Sequence, residues 1–333
     1  MKIKLSLLSL LMLACCVSVQ AQVQLHRAVT LMGSRFDITI VAVDSANANQ
    51  SINEVIAEID RIERLISDWK PDSQISEVNK NAGVKPVKVD REVFELTQRS
   101  LYFSRLTKGA FDISYAAMDK IWRFDGSMKQ MPSDEEIKKS VANVGYQNVV
   151  LDSANCTIFL RKVGMKIGFG ATGKGYAADK GRALMQAKGV KAGIVNASGD
   201  MSTWGSQLNG KPWLVGLTNP FAEEENISVL KLHTEAVVTS GSYEKFVMFG
   251  GKRYAHIINP TTGYPASGLI SATVIGPSAE QANGFSTSIM VLGKDAGIDL
   301  MKKFPTYAYL LITDQGEVIK SPNFKFKVKK RLK

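Results

Sequence analysis

Cysteine is almost absent from this 333-residue chain, which has only Cys15, Cys16 and Cys156. Cleavage after Ala21 would leave Cys156 alone and exclude an intrachain disulfide, and the remaining chain is long enough to build a core without one. Histidine is as scarce, at His26, His233 and His256, and no Cys/His spacing matches a zinc site. Long linkers, internal repeats and low-complexity tracts are also missing, so one α+β domain over residues 22–333 is expected. No apolar run spans a bilayer comfortably; the longest, Leu5 to Val19, is too short. Preceded by Lys2 and Lys4 and followed by Val19-Gln20-Ala21, it predicts an export signal over residues 1–21. Met12-Leu13-Ala14-Cys15 offers a second reading, a lipobox-like tetrad that leaves a lipidated Cys15. Both readings give an exported, periplasmic protein, and the second anchors it to the inner membrane.

The formal charge of +11 suggests a nucleic-acid partner until its distribution is examined. Lys2 and Lys4 leave with the signal, and Lys325, Lys327, Lys329, Lys330, Arg331 and Lys333 crowd into the tail. The body is close to balanced, which excludes a basic nucleic-acid-binding surface. In the tail, Phe324, Phe326 and Val328 alternate with lysines, the pattern of a half-buried edge strand guarded against aggregation.

What the chain does have is a glycine loop, Gly168-Phe169-Gly170-Ala171-Thr172-Gly173-Lys174-Gly175-Tyr176. It matches G-x-G-x-x-G, and it matches the P-loop pattern up to Gly175, where that pattern needs Ser or Thr. A β-rich run precedes it and a helical pattern from Tyr176 to Ala187 follows, so backbone N–H groups and a helix dipole can face an anion. The dinucleotide reading weakens because the loop lies mid-chain. It also needs an acidic residue about 20 positions on, and none lies between Asp179 and Asp200. The P-loop reading fails at Gly175, which has no hydroxyl for magnesium.

Elsewhere, Ala28 to Val43 reads as strand–turn–strand around Met32-Gly33-Ser34, and Asn47 to Ser67 as an amphipathic helix. Asp72 or Ser73 can cap a short helix, and Arg91 to Thr107 is a second long one. Short strands are expected at Val149–Leu151, Thr157–Leu160, Met165–Ile167, Gly193–Asn196, Trp213–Leu217, Ser228–Leu232, Ala236–Thr239, His256–Ile258, Ala308–Ile312 and Phe324–Val328. Gln281 to Leu292 reads as a helix. Successive strands without intervening helices argue for mixed or antiparallel sheets with flanking helices rather than a doubly wound sheet.

Polar and small residues cluster where strands end, at Asn196 to Asp200, Thr239 to Glu244 and Tyr254 to Pro265, each compatible with an ordinary turn. Taken in order with Met32-Gly33-Ser34, Ser67 to Ser73, Gly109 to Asp112 and Gly173 to Asp179, they make the chain resemble the ApbE-type flavin transferases over nearly its whole mature length. The resemblance implies a metal-dependent enzyme that splits FAD and joins FMN by a phosphoester to a Thr or Ser of an acceptor flavoprotein, releasing AMP. It also implies that the acceptor belongs to a membrane redox complex. An FAD pyrophosphatase and an exported FAD-binding protein are the competing readings.

Residue by residue, the resemblance implies that Met32, Trp69 and the Ala110-Phe111-Asp112 turn line the flavin site, with Gly168 and Ile257 also contacting FAD. Trp69 stands where Tyr is frequent, and either ring can stack on an isoalloxazine. Lys174 would approach the diphosphate. The Ala171 carbonyl, Asn283 and Thr287 would hold magnesium, or manganese or calcium; the last two are spaced i, i+4 and share a helix face. The family usually places Asp at the positions of Gly168 and Asn283, and Glu280, one turn before Asn283, is available to compensate. His256 is the expected general base, while His26 and His233 read as structural.

Overall fold

The computed structural model describes residues 22–243 and 245–328, so the expected export signal and the last basic residues lie outside the described residues. The expected strand–turn–strand is a hairpin in which β1 (Val23–Leu31) pairs antiparallel with β2 (Ser34–Ala42). Its two-residue turn has positive φ at both Met32 (50°) and Gly33 (68°), the primed geometry that matches strand twist. Helix α1 (Ser45–Ile66) starts where the Asp44 side chain accepts from the Asn47 N–H, and it buries Ile52, Val55, Ile59, Ile62 and Ile66. Ser73 caps α2 (Gln74–Lys80) by accepting from the Ser76 N–H. Strand β3 (Val87–Lys88), helices α3 (Arg91–Leu106) and α4 (Asp134–Ser140), and strands β4 (Val149–Asp152) and β5 (Thr157–Leu160) follow, the strands forming a small sheet ordered β3-β5-β4.

The remaining elements are α5 (Thr172–Ala187), β6 (Ala192–Ala197), β7 (Asp200–Trp204), β8 (Trp213–Asn219), β9 (Ala222–Leu232), β10 (Ala236–Gly241), β11 (Phe246–Phe249), β12 (Lys252–Ala255), β13 (Leu269–Gly276), α6 (Ala279–Leu292), α7 (Lys294–Met301), β14 (Ala308–Thr313) and β15 (Val318–Lys320). Eight strands form one sheet, ordered β1-β2-β6-β7-β10-β13-β14-β15, and every neighbouring pair in it is antiparallel. This is the expected α+β class. One face packs on α1, α5 and α6 through Ile38, Val195, Val238 and Val274. The other face, through Val41, Val237, Ile275 and Ile312, packs on the β8–β9 hairpin and Phe324. All eight residues of β13 are buried because both faces are covered.

Three expected strands are not ladders. Met165–Ile167 is irregular because Asn79 takes the place of a partner strand: its Oδ1 accepts from the Ile167 N–H (2.8 Å) and its Nδ2 donates to the Ile167 carbonyl (2.9 Å). At His256–Ile258 the regular strand has already ended at Ala255. Only the isolated bridge Ile258–Pro265 remains, and proline has no N–H to extend it. Phe324–Val328 keeps its alternating burial without strand pairing. Lys320 Nζ donates to the Phe324 and Phe326 carbonyls, and Ser228 Oγ to the Lys327 carbonyl. Helix α5 also starts four residues earlier than Tyr176 and takes in Gly173 and Gly175, leaving Gly168 and Gly170 in the loop before it.

Candidate active site

A cavity of about 820 Å³ lies at the end of the large sheet where β2 and β7 begin and β6 and β10 end. The loop into α5, one face of α6, the turn after α1 and the 3-10 helix Ile113–Ala117 complete its wall. Trp69, Ala110, Phe111, Asp112, Gly168, Ala171, Lys174, His256, Ile257, Asn283 and Thr287 all line it. Met32 does not: it is part-buried beneath the loop, packed against the main core. Ser34, two residues on, reaches the cavity instead.

Helix α5 brings its N-terminus to the cavity with no side chain capping it and no acidic residue in its first turn, so its orphan N–H groups and dipole favour an anion. Thr172 Oγ1 is the buried side-chain polar atom that lacks a partner among the described residues. Gly175 explains why no P-loop hydroxyl can stand there. A Cβ at this position would lie 2.5 Å from the Ala279 carbonyl oxygen, so a side chain would push α6 away.

Helix α6 holds Asn283 and Thr287 one turn apart, with Thr287 Oγ1 donating to Asn283 Oδ1 (3.3 Å). Asn283 Nδ2 donates to Asp200 Oδ2 at 2.8 Å. Asp200 is buried at the start of β7. Burial pushes its carboxyl up to about 7, opposed by the Lys174 charge and the Asn283 hydrogen bond. The compensation expected from Glu280 is absent: that carboxylate faces away from the cavity lining and pairs with Arg99 Nε at 2.7 Å. Asp200 is the carboxylate beside Asn283. Among the described residues no three His, Cys, Asp or Glu side chains gather. The oxygens of Ala171, Asn283, Thr287 and Asp200 are hard donors and suit a hard cation. A cation there would also offset a buried carboxylate.

At the other end Trp69 is 76% exposed, with Lys120 Nζ 4.0 Å from its ring centroid. Asp112 is a buried turn-holder: it accepts from the Ser114 N–H (2.8 Å), Ser114 Oγ (2.6 Å) and the Tyr146 N–H (2.8 Å). Its carboxyl is raised by burial against those hydrogen bonds. His256 is exposed, edge-on to Phe124 at 6.5 Å. Its Nδ1 lies 3.3 Å from the Lys245 carbonyl. A carbonyl only accepts, so this contact places the proton on Nδ1 and, in the neutral ring, the lone pair on Nε2. Asp200, Asp68, Lys120, Lys166 and Lys245 line the cavity without having been assigned roles from the sequence. Asp200 and Asp68 carried a signal, the first as the last residue of the polar turn from Asn196 and the second inside the Ser67 to Ser73 motif.

A helix N-terminus with a lysine and an exposed indole in one cavity suit a ligand with an anionic part and a flat ring, as a nucleotide has, in a protein of the α+β class. The ApbE family model matches residues 32–311, and the chain belongs to that family. It is 31% identical to an FAD:protein FMN transferase of Klebsiella pneumoniae over 87% of this chain and 90% of the relative. It is also 29% identical to the Escherichia coli FAD:protein FMN transferase over 88% and 86%. The ApbE crystal structure from Thermotoga maritima superposes with a TM-score of 0.82 at 30% identity, covering 91% of this chain and 98% of that one.

Proposed function

We propose that this protein transfers the FMN half of FAD to a Thr or Ser hydroxyl of an acceptor flavoprotein. The observation that carries this reading is one cavity gathering an open indole, a lysine at a helix N-terminus, a cation-suited oxygen set and His256, in a chain of the ApbE family. Trp69 stacks on the isoalloxazine. Lys174 and the N–H groups opening α5 hold the diphosphate and orient its phosphorus toward the acceptor. Ala171, Asn283, Thr287 and Asp200 would hold magnesium, which when bound supplies Lewis-acid neutralisation of diphosphate charge. His256 Nε2 takes the hydroxyl proton as the acceptor oxygen bonds to the FMN phosphorus. The bond from that phosphorus to the bridging oxygen breaks, and AMP leaves with that oxygen.

The export signal expected over residues 1–21 favours an acceptor outside the cytoplasm, such as a subunit of a membrane redox complex. Replacing His256 with Ala should cut transfer at least about a hundredfold while leaving FAD affinity within about twofold. Titrating FAD fluorescence beside an acceptor-labelling assay checks both, and unchanged transfer would remove the role from His256.

A further inference from the structure

Among the cavity carboxylates, Asp68 is the one that faces Gly168. It sits between the end of α1 and Trp69, opens on the cavity, and accepts from its own backbone N–H. Lys120 and Lys166 are the positive charges that act on it. Both also line the cavity. Asp112 and Asp200, by contrast, are tied into turns and into α6. Gly168 shows where the Asp68 carboxylate goes. A Cβ built on Gly168 would lie 3.0 Å from Asp68 Oδ2 and 3.2 Å from Ala116 Cβ. The space that a side chain at 168 would fill is therefore held by the Asp68 carboxylate, delivered from a different segment.

We propose that Asp68 is a specificity-determining residue that accepts a hydrogen bond from the riboflavin half of the ligand, and that Gly168 is bare to make room for it. The inference rests on the flavin reading above. Its chemistry follows from position: Asp68 precedes Trp69, so a ring stacked on that indole brings a donor, the isoalloxazine imide N–H or a ribityl hydroxyl, alongside an acceptor-only carboxylate. Surrounding protein raises Asp68 above the ordinary carboxyl value, with Lys120 and Lys166 acting in the opposite sense. Asp68 is itself exposed, so a ring stacked on Trp69 is what would cover it, and a covered carboxylate is costly to leave unmatched.

Carboxylate relocation tests this directly. FAD and ADP affinities are measured by calorimetry for the wild type, Asp68→Ala, Gly168→Asp and Asp68→Ala/Gly168→Asp. Asp68→Ala should weaken FAD roughly tenfold or more, the loss of a hydrogen bond to a charged group, and leave ADP within about twofold. Gly168→Asp, which forces two carboxylates into one space, should also weaken FAD. The double variant, with one carboxylate returned to that space, should recover most of the affinity. Equal FAD affinity for Asp68→Ala and wild type would overturn the proposal, as would a loss of FAD binding that the double variant does not recover. A wild type that binds no FAD would instead defeat the flavin reading on which the proposal stands.

Discussion

Asn283 concentrates the chemistry of this site at one side chain. Its amide N–H satisfies the Asp200 carboxylate at 2.8 Å, and its oxygen receives the Thr287 hydroxyl. Asn283→Asp would set two carboxylates against each other in a buried place. Without metal the variant should melt several degrees lower than wild type. With magnesium it should be stabilised more, at a lower half-saturating concentration. Thermal unfolding across a magnesium titration checks this; identical titrations would mean that position 283 is not a ligand. Gly175 is decisive for a different reason. Gly175→Ala drives a Cβ to 2.5 Å from the Ala279 carbonyl and should cost about 2 kcal/mol in denaturant unfolding, with Lys174 displaced as α5 and α6 separate. Seen as sequence, Gly175 was only a missing hydroxyl. The close approach of two helices that demands it joins segments far apart in the chain, so no local pattern reveals it.

At the scale of elements, the placement of α5 depends on a charged cluster behind its first turns. Arg61 Nη1 on α1 donates to Glu92 on α3 (2.7 Å), Tyr176 OH on α5 donates to the same carboxylate (2.5 Å), and Lys180 Nζ lies 3.4 Å away. Despite burial, which works the other way, Arg61, Tyr176 and Lys180 hold Glu92 down at about 2, against an ordinary value of 4.5. A carboxyl depressed on folding stabilises above its unfolded value and loses that contribution as pH falls through the folded one. Glu92→Gln should therefore cost about 2 kcal/mol at pH 7, and the difference from wild type should shrink steadily from pH 4.5 toward pH 2. Urea unfolding at pH 7 and pH 3 measures it, and a pH-independent difference would contradict the ion-pair origin. The long elements α1, with its isoleucine face, and α3 were readable beforehand because their periodicity is strong. Two of the mistaken strands were short runs, Met165–Ile167 satisfied by Asn79 and His256–Ile258 cut short at Pro265. Asn79 lies outside any local window.

For the whole molecule, the antiparallel sheet brings residues from 34 to 291 to one cavity. The sequence motifs marked most of its wall because each falls at a strand end or helix start, where polar and glycine residues are visible against apolar runs. Lys120 and Lys245 were invisible because an isolated charge on a loop looks like any solvated residue, and Asp68, inside the Ser67 to Ser73 motif, was given no role of its own. Met32 lies outside that lining because a turn residue's side chain can fall on either side of the hairpin. On the proposed function, the hydroxyl acceptor, rather than FAD cleavage alone, is the defining partner. The most direct measurement incubates the protein with FAD, magnesium and an exported flavoprotein subunit carrying a candidate threonine, beside the same subunit with that threonine changed to alanine. The expected result is flavin fluorescence on the denatured threonine-bearing subunit only, with one AMP released per flavin attached. FMN and AMP accumulating free in solution with both subunits unlabelled, or FAD recovered intact, would contradict transfer.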